Sequence, residues 1–312
     1  MAKNRPFRFG IQATGTYSRA EWTELAKAVE DTGASTLTIA DHFDQQMAPF
    51  TALMAAADAT TTLRLGTVVI CNDFRHPAIV AKEAATLDLL SNGRFELGLG
   101  AGWLTSDYQQ VGLRLERPSL RIERLSEAIM LIKTLFQTEP VHFSGKHYQV
   151  DGLVNSPSPV QAPHPPIMVG GGGEKILRLA AREANIVALN IDLRSGAIDE
   201  NAGPSATSRA TTQKLDWIKE SAGDRYRELE LQVRVHLAEV TNDRQAIAEL
   251  LAPAFGLSTD EALVTPHALV GSTEEIVEQL LRQREEWDIS YIGLSADALE
   301  KLAPVITALA GT

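Results

Sequence analysis

The chain of 312 residues contains one cysteine, Cys71. A single thiol forms no intrachain disulfide and no cysteine-based zinc site. Basic residues are in the minority: 29 Lys and Arg against 40 Asp and Glu give a net charge of -11. That balance argues against sequence-independent nucleic-acid binding and against docking on an anionic membrane surface. It leaves room only for a local basic pocket. No apolar run approaches the ~18 residues of a membrane span. The opening Met1-Ala2-Lys3-Asn4-Arg5-Pro6 lacks the apolar core of a signal peptide, so the expectation is a soluble, cytoplasmic protein. Neither H-x-H nor H-E-x-x-H occurs, and the G-x-x-x-x-G-K-[ST] of a nucleoside-triphosphate loop is absent. No metal centre is expected.

What remains is ordinary globular composition, 44% hydrophobic and 22% charged. Apolar runs alternate with helical periodicities along the chain. Strands are expected at 7–13, 36–40, 64–70, 94–100, 167–170, 186–190, 230–238 and 289–294. Helices are expected at 19–31, 50–60, 77–90, 120–136, 174–184, 211–221, 244–255, 273–286 and 297–309. Pro77 suits the first turn of its helix, where a missing N–H is no loss, and Gly33 stops the first helix. A small hairpin is expected over 141–150. The stretch 155–166 holds five prolines and cannot be regular structure. The small, polar stretch 193–208 reads as a mobile loop, and 102–118 as irregular. Eight strands alternating with helices argue for a parallel sheet, closed as an α/β (β/α)8 TIM barrel with insertions at the C-terminal face. Residues 1–312 form one domain on this reading.

In such a barrel, chemistry gathers at the C-terminal ends of the strands. The second strand runs Thr36-Leu37-Thr38-Ile39-Ala40 and ends in Asp41-His42. Histidine is the side chain whose ordinary pKa lies nearest neutrality. Two readings stand: a proton donor or acceptor at the barrel mouth, or a backbone-satisfied histidine with Asp41 capping the next element. The third strand ends apolar and then offers Asn72 and Arg75. Gly98-Leu99-Gly100-Ala101-Gly102-Trp103 ends the fourth. It reads either as close backbone approach to a planar ligand with Trp103 as pocket wall, or as a tight turn beside a core tryptophan. Gly170-Gly171-Gly172-Gly173 ends the fifth strand and opens a helix, an arrangement of bare N–H groups suited to a phosphate. Lys175 and Arg178 are cationic candidates there, and Glu174 should point away. Cys71 follows a buried strand and reads as packing first, pocket lining second.

Taken together, Ala40-Asp41-His42-Phe43, Arg75-His76-Pro77, Thr86 to Phe95, Gly98 to Trp103 and Gly170 to Gly173 resemble the luciferase-like monooxygenase superfamily over nearly the whole chain. The segment from Leu231 to His236 and on to His267-Ala268-Leu269-Val270-Gly271 is similar to an actinobacterial subgroup dependent on the deazaflavin coenzyme F420. The resemblance implies a homodimer and a deazaflavin, with FMN as the alternative, at the C-terminal mouth. Its phosphate would lie at Gly170–Gly173, and its ring beside Asp41, His42, Asn72, Gly100 and Gly102. A non-prolyl cis peptide at Val68-Val69 would back the ring. His42 is then the catalytic proton partner of a hydride step and Asp41 its orienter. The superfamily's sugar-phosphate dehydrogenases place a glutamate where this chain has Trp103, so an apolar or aromatic small-molecule substrate is expected. Three functions follow: a hydride-transferring F420 oxidoreductase, a reduced-FMN monooxygenase, or a barrel that binds ligand without catalysis.

Overall fold

A computed structural model describes residues 5–196 and 200–312. The first four residues of the opening segment, and 197–199 of the expected mobile loop, lie outside the described residues. Eight strands build the barrel: β1 (Arg8–Ala13), β2 (Thr36–Ile39), β3 (Arg64–Thr67), β4 (Phe95–Gly100), β5 (Ile167–Gly171), β6 (Ile186–Leu189), β7 (Glu230–Arg234) and β8 (Ile289–Ser295). Every neighbouring pair is parallel. Closure comes from Arg8 opposite Tyr291 between β1 and β8, and from Leu65 opposite Phe95 between β3 and β4. A short strand, Ile70–Cys71, prolongs β3 beyond a cis bond at Val68-Val69 and pairs with the end of β4.

The strands are buried on both sides, which is why they read as near-continuous apolar runs. The flanking helices are α1 (Arg19–Asp31), α2 (Pro49–Ala59), α3 (Pro77–Leu90), α4 (Thr105–Gln110), α5 (Pro118–Leu135), α6 (Glu174–Glu183), α7 (Ser208–Ala222), α8 (Arg244–Leu251), α9 (Thr259–Val264), α10 (Thr273–Trp287) and α11 (Leu299–Leu309). Local chemistry sets their ends. Ser18 and Ser272 close capping boxes with Glu21 and Glu275. His76 caps α3 by accepting from the Ala78 N–H, with Pro77 next.

The N-terminal end of the barrel is plugged by ions. Arg8 donates to Glu96 at 2.7 Å and to Glu230 at 2.8 Å, and Arg64 also donates to Glu96. Glu96 is fully enclosed; burial works to raise its pKa, but Arg8 and Arg64 override it and hold the carboxyl below its ordinary value. Charge at this end serves stability, leaving the opposite end for chemistry.

Three expectations need correction. The seventh strand stops at Arg234; Leu237–Val240 leaves the barrel and pairs in parallel with Ala268–Gly271 as a separate two-stranded sheet. The stretch 102–118 contains the helix α4, and α9 lies between α8 and α10 where no separate helix is expected. Among the described residues no helix is long and apolar enough to cross a membrane.

Candidate active site

The C-terminal ends of the strands surround a cavity of about 810 Å³. Asp41, His42, Val68, Val69, Gly100, Gly102, Trp103 and Gly170 to Gly173 all line it. Asn72 does not. It is buried on the turn after Cys71, and its amide donates to the Tyr148 hydroxyl at 2.9 Å. The expected contact between Asn72 and a ligand is therefore not what the fold provides.

The acid beside His42 in space is Asp107, on α4, not Asp41. His42 Nδ1 lies 2.6 Å from Asp107 Oδ2, and the Phe43 N–H donates to Asp107 Oδ1 at 3.2 Å. A carboxylate only accepts, so His42 Nδ1 carries the proton and donates it to that bond. Nε2 is left to exchange a proton. Asp107 is 3% exposed, and so gives His42 a fixed partner shielded from water. Trp103 meets the imidazole edge-on, with ring centroids 5.8 Å apart and planes at 88°. Asp41 turns elsewhere: its Oδ2 accepts from Arg75 Nη1 and from the Cys71 N–H. It ties the end of β2 to the turn after β3, and the expected role of Asp41 as orienter is corrected accordingly.

The glycines divide by what they touch. A Cβ on Gly100 would fall on the Val69 side chain, so glycine there lets the Val68-Val69 segment pack against β4. Gly102 has φ +76° and sits under the Tyr108 hydroxyl and Cys71 Sγ, where a side chain is doubly disfavoured. The close approach at both is to the protein's own chain, which then shapes the cavity wall. Gly173 caps α6 without any side-chain hydrogen bond, and the first turn of that helix lines the mouth, with the Asp192 carboxylate nearby. Lys175 lines the cavity there. Arg178 does not; it is held by Glu174 and Glu220, each at 2.8 Å. Glu174 lines the rim, with its carboxylate turned to Arg178.

Burial pushes the Cys71 thiol up to about 12, with the Tyr108 hydroxyl 3.5 Å away. It is a packing group rather than a nucleophile. On the far wall, burial lowers His236 to about 4 and, from α7, Lys214 to about 8. Lys214 Nζ donates to the carbonyls of Asn190 and Ser205, each at 2.7 Å. Asp107, Arg234 and Asn190 line the cavity, and Lys214 lies behind it against the Asn190 carbonyl; the motifs reveal none of the four. Their only sequence signal is polarity at or just after a strand end, or on a helix of the mouth. Among the described residues no group of three or more His, Cys, Asp or Glu could hold a metal ion.

A family model described as luciferase-like monooxygenase matches residues 6–212. The chain belongs to this family. Among curated relatives, the F420-dependent glucose-6-phosphate dehydrogenase of Gordonia bronchialis is 32% identical over 186 residues, 56% of this chain and 54% of the relative. The 5,10-methylenetetrahydromethanopterin reductase of Archaeoglobus fulgidus is 29% identical over 183 residues, 59% of this chain and 53% of that one. The chain thus spans about half the length of the curated relatives it matches. Solved structures of similar fold cover it more fully. The coenzyme F420-dependent tetrahydromethanopterin reductase of Methanopyrus kandleri has a TM-score of 0.78 at 17% identity, covering 98% of this chain and 99% of its own. The long-chain alkane monooxygenase LadA has a TM-score of 0.76 at 15% identity, covering 98% and 92%. At these identities the likeness is one of fold.

Proposed function

We propose that this luciferase-like protein is an F420-dependent oxidoreductase acting on a small organic substrate. The observation that carries the reading is the His42–Asp107 pair at 2.6 Å, edge-on to Trp103, at the mouth of the large cavity. The cavity fits the cofactor in parts. The Val68-Val69 wall offers a flat apolar backing, and the uncapped start of α6 at Gly173, with Lys175, offers N–H groups and a cation for a phosphate. Bound there, F420 supplies the carbon that gives or takes a hydride. His42 holds or moves the matching proton at Nε2, because Asp107 fixes its other nitrogen as a donor. Trp103 shields the imidazole from bulk water and gives the substrate an apolar face. The relatives named for F420 support this choice of cofactor.

FMN is the alternative occupant, and one feature favours it. The deazaflavin tail is anionic, whereas rim cations are few: Arg194 is already paired with Asp192 at 2.7 Å, and Arg178 faces away. A titration followed by quenching of cofactor fluorescence decides between them. F420 is expected to bind at least tenfold more tightly than FMN. Tight FMN binding alone overturns the first reading, and binding of neither supports a non-catalytic barrel. We also place the protein in the cytoplasm as a homodimer. Ile79 and Leu90 on α3 and Met130 on α5, two helices packed side by side, are exposed and offer apolar groups to a second copy.

A further inference from the structure

We propose that Arg234 anchors a carboxylate group of the substrate, on the wall of the cavity opposite the cofactor. The inference rests on the oxidoreductase reading above and names the substrate class for that site. In a closed barrel of eight strands, β7 stands across from β3. The Val68-Val69 wall continues β3, and Arg234 ends β7; all three residues line the same cavity. A planar ring backed by Val68-Val69 therefore leaves its other face toward Arg234, with His42, just past the end of β2, lining the same cavity.

The guanidinium is only partly used by the protein. Arg234 Nη2 donates to Ser295 Oγ at 2.6 Å and Nη1 to the Gly293 carbonyl at 3.5 Å. Its Nε–H and the second N–H of each terminal nitrogen have no partner among the described residues. No carboxylate among those residues forms an ion pair with it, unlike Arg8, Arg64 and Arg75, each of which holds an acid. Asp297 acts on it only at longer range. Burial pulls its pKa down to about 10, which leaves it charged at neutral pH. Arg234 is half-buried on the cavity wall and none of its nitrogens is sealed off without a partner, so its unused N–H groups stay open to water or to an entering anion.

The neighbours define what kind of anion fits. His236 lines the same wall, and burial, with Arg234 and Lys214 nearby, keeps it neutral near pH 7. Asn190 Oδ1 accepts from the Ile191 N–H at 2.8 Å, so it is an acceptor toward His236 Nε2 at 2.7 Å as well. His236 therefore donates from Nε2 and adds no positive charge. Gln12 and Gln232, also lining residues, are neutral amides. Lys214 is outside the lining, its ammonium engaged by two carbonyls. One rigid, planar cation flanked by neutral amides matches a planar monoanion gripped by two parallel N–H bonds, which is a carboxylate. A phosphate dianion calls for more than one cation.

The test compares acids with their neutral counterparts. Benzoate, acetate and pyruvate, and the amides benzamide, acetamide and pyruvamide, are titrated calorimetrically into the protein with and without F420. Cofactor affinity is measured separately by fluorescence. At least one acid is expected to bind about tenfold or more tightly than its amide, the gap expected of a charge-assisted pair. Arg234→Met is expected to erase that gap and leave F420 affinity within about twofold, and Arg234→Lys to restore part of it. The wild-type comparison of acid with amide stands even where a variant folds poorly. The proposal is overturned if no acid outbinds its amide, if the preference survives in a folded Arg234→Met, or if phenyl phosphate outbinds benzoate. Failure of F420 to bind the wild type instead removes the cofactor reading, while the acid preference of the unloaded protein is still read.

Discussion

Replacing Asp107 by Asn tests the central pair without adding bulk. In the native site Asp107 accepts twice, from His42 Nδ1 at 2.6 Å and from the Phe43 N–H at 3.2 Å. An Asn side chain has one acceptor and one donor group. If its oxygen keeps the Phe43 N–H, its NH2 faces His42 and forces Nδ1 to accept, moving the proton to Nε2. If its oxygen keeps His42, two N–H groups oppose each other at Phe43. Either way one charge-assisted hydrogen bond is lost, about 1.5–3 kcal/mol. Turnover with any accepted substrate should then fall by roughly 10- to 150-fold, with F420 affinity little changed. In a His42→Ala background the same substitution should cost almost nothing more, since the two act as a unit. A readout free of cofactor and substrate is available. Long-range 1H–15N correlation spectra report which imidazole nitrogen of His42 is protonated, with the His42→Ala spectrum as assignment. The expected result is a proton on Nδ1 in the wild type and on Nε2 in Asp107→Asn. An unchanged spectrum together with turnover within about twofold of wild type would refute the assigned geometry.

Three further outcomes are expected. Glu96→Gln strands Arg64 and leaves Arg8 with Glu230 alone at the bottom of the barrel, and should lower stability in urea by about 3 kcal/mol; a loss under ~1 kcal/mol removes the plug from the account. Because the Glu96 carboxyl is held below its ordinary value, its contribution is present above the unfolded pKa and fades as pH falls through the folded one. His236 shows the mirror case for a base. Its native pKa of about 4 lies below the ordinary 6.5, so the unfolded chain binds a proton in that window that the native state refuses. Stability should decline as pH drops from 6.5 toward 4, by about 3 kcal/mol from this residue, and urea midpoints of His236→Gln should flatten that slope. Gly100→Ala sets a methyl group against Val69 and should destabilise by roughly 1–3 kcal/mol. Adding Val69→Ala should return part of that loss, and no recovery would deny the contact.

Much of the barrel is legible in the chain because its strands are enclosed on both faces. Ile186, Val187, Ala188 and Leu189 of β6 point alternately to opposite faces and are all buried, so the strands show as short apolar runs punctuated by Gly and Pro. The same property blurs their ends. Past Arg234 the sequence stays apolar through Val235, Leu237 and Ala238, and nothing local shows that Leu237–Val240 has left the barrel for Ala268–Gly271. Helix α4 is hidden for the opposite reason. Its sequence, Thr-Ser-Asp-Tyr-Gln-Gln, has too few apolar residues for a periodicity, and only Tyr108 and Asp107 turn inward. The glycine runs are legible as sites of close approach, but their neighbours are not. Only the folded chain shows that Gly100 yields to Val69 and Gly102 to Tyr108.

The exchange of Asp41 for Asp107 follows from what each carboxylate bonds. Asp41 and His42 lie in the loop just past β2 and both line the cavity. The Asp41 carboxylate is already taken by the Cys71 N–H and Arg75, so it is not the partner of the imidazole. A partner for His42 Nδ1 has to arrive from another strand's loop, and α4, in the loop after β4, delivers Asp107 from 65 residues away. The same logic assembles the rest of the mouth: Gly173 after β5, Asn190 after β6, Arg234 at the end of β7. A barrel draws its chemistry from several strand ends at once. The residue type and strand position of His42 are therefore readable along the chain, whereas the group that sets its proton is defined only by closure of the barrel.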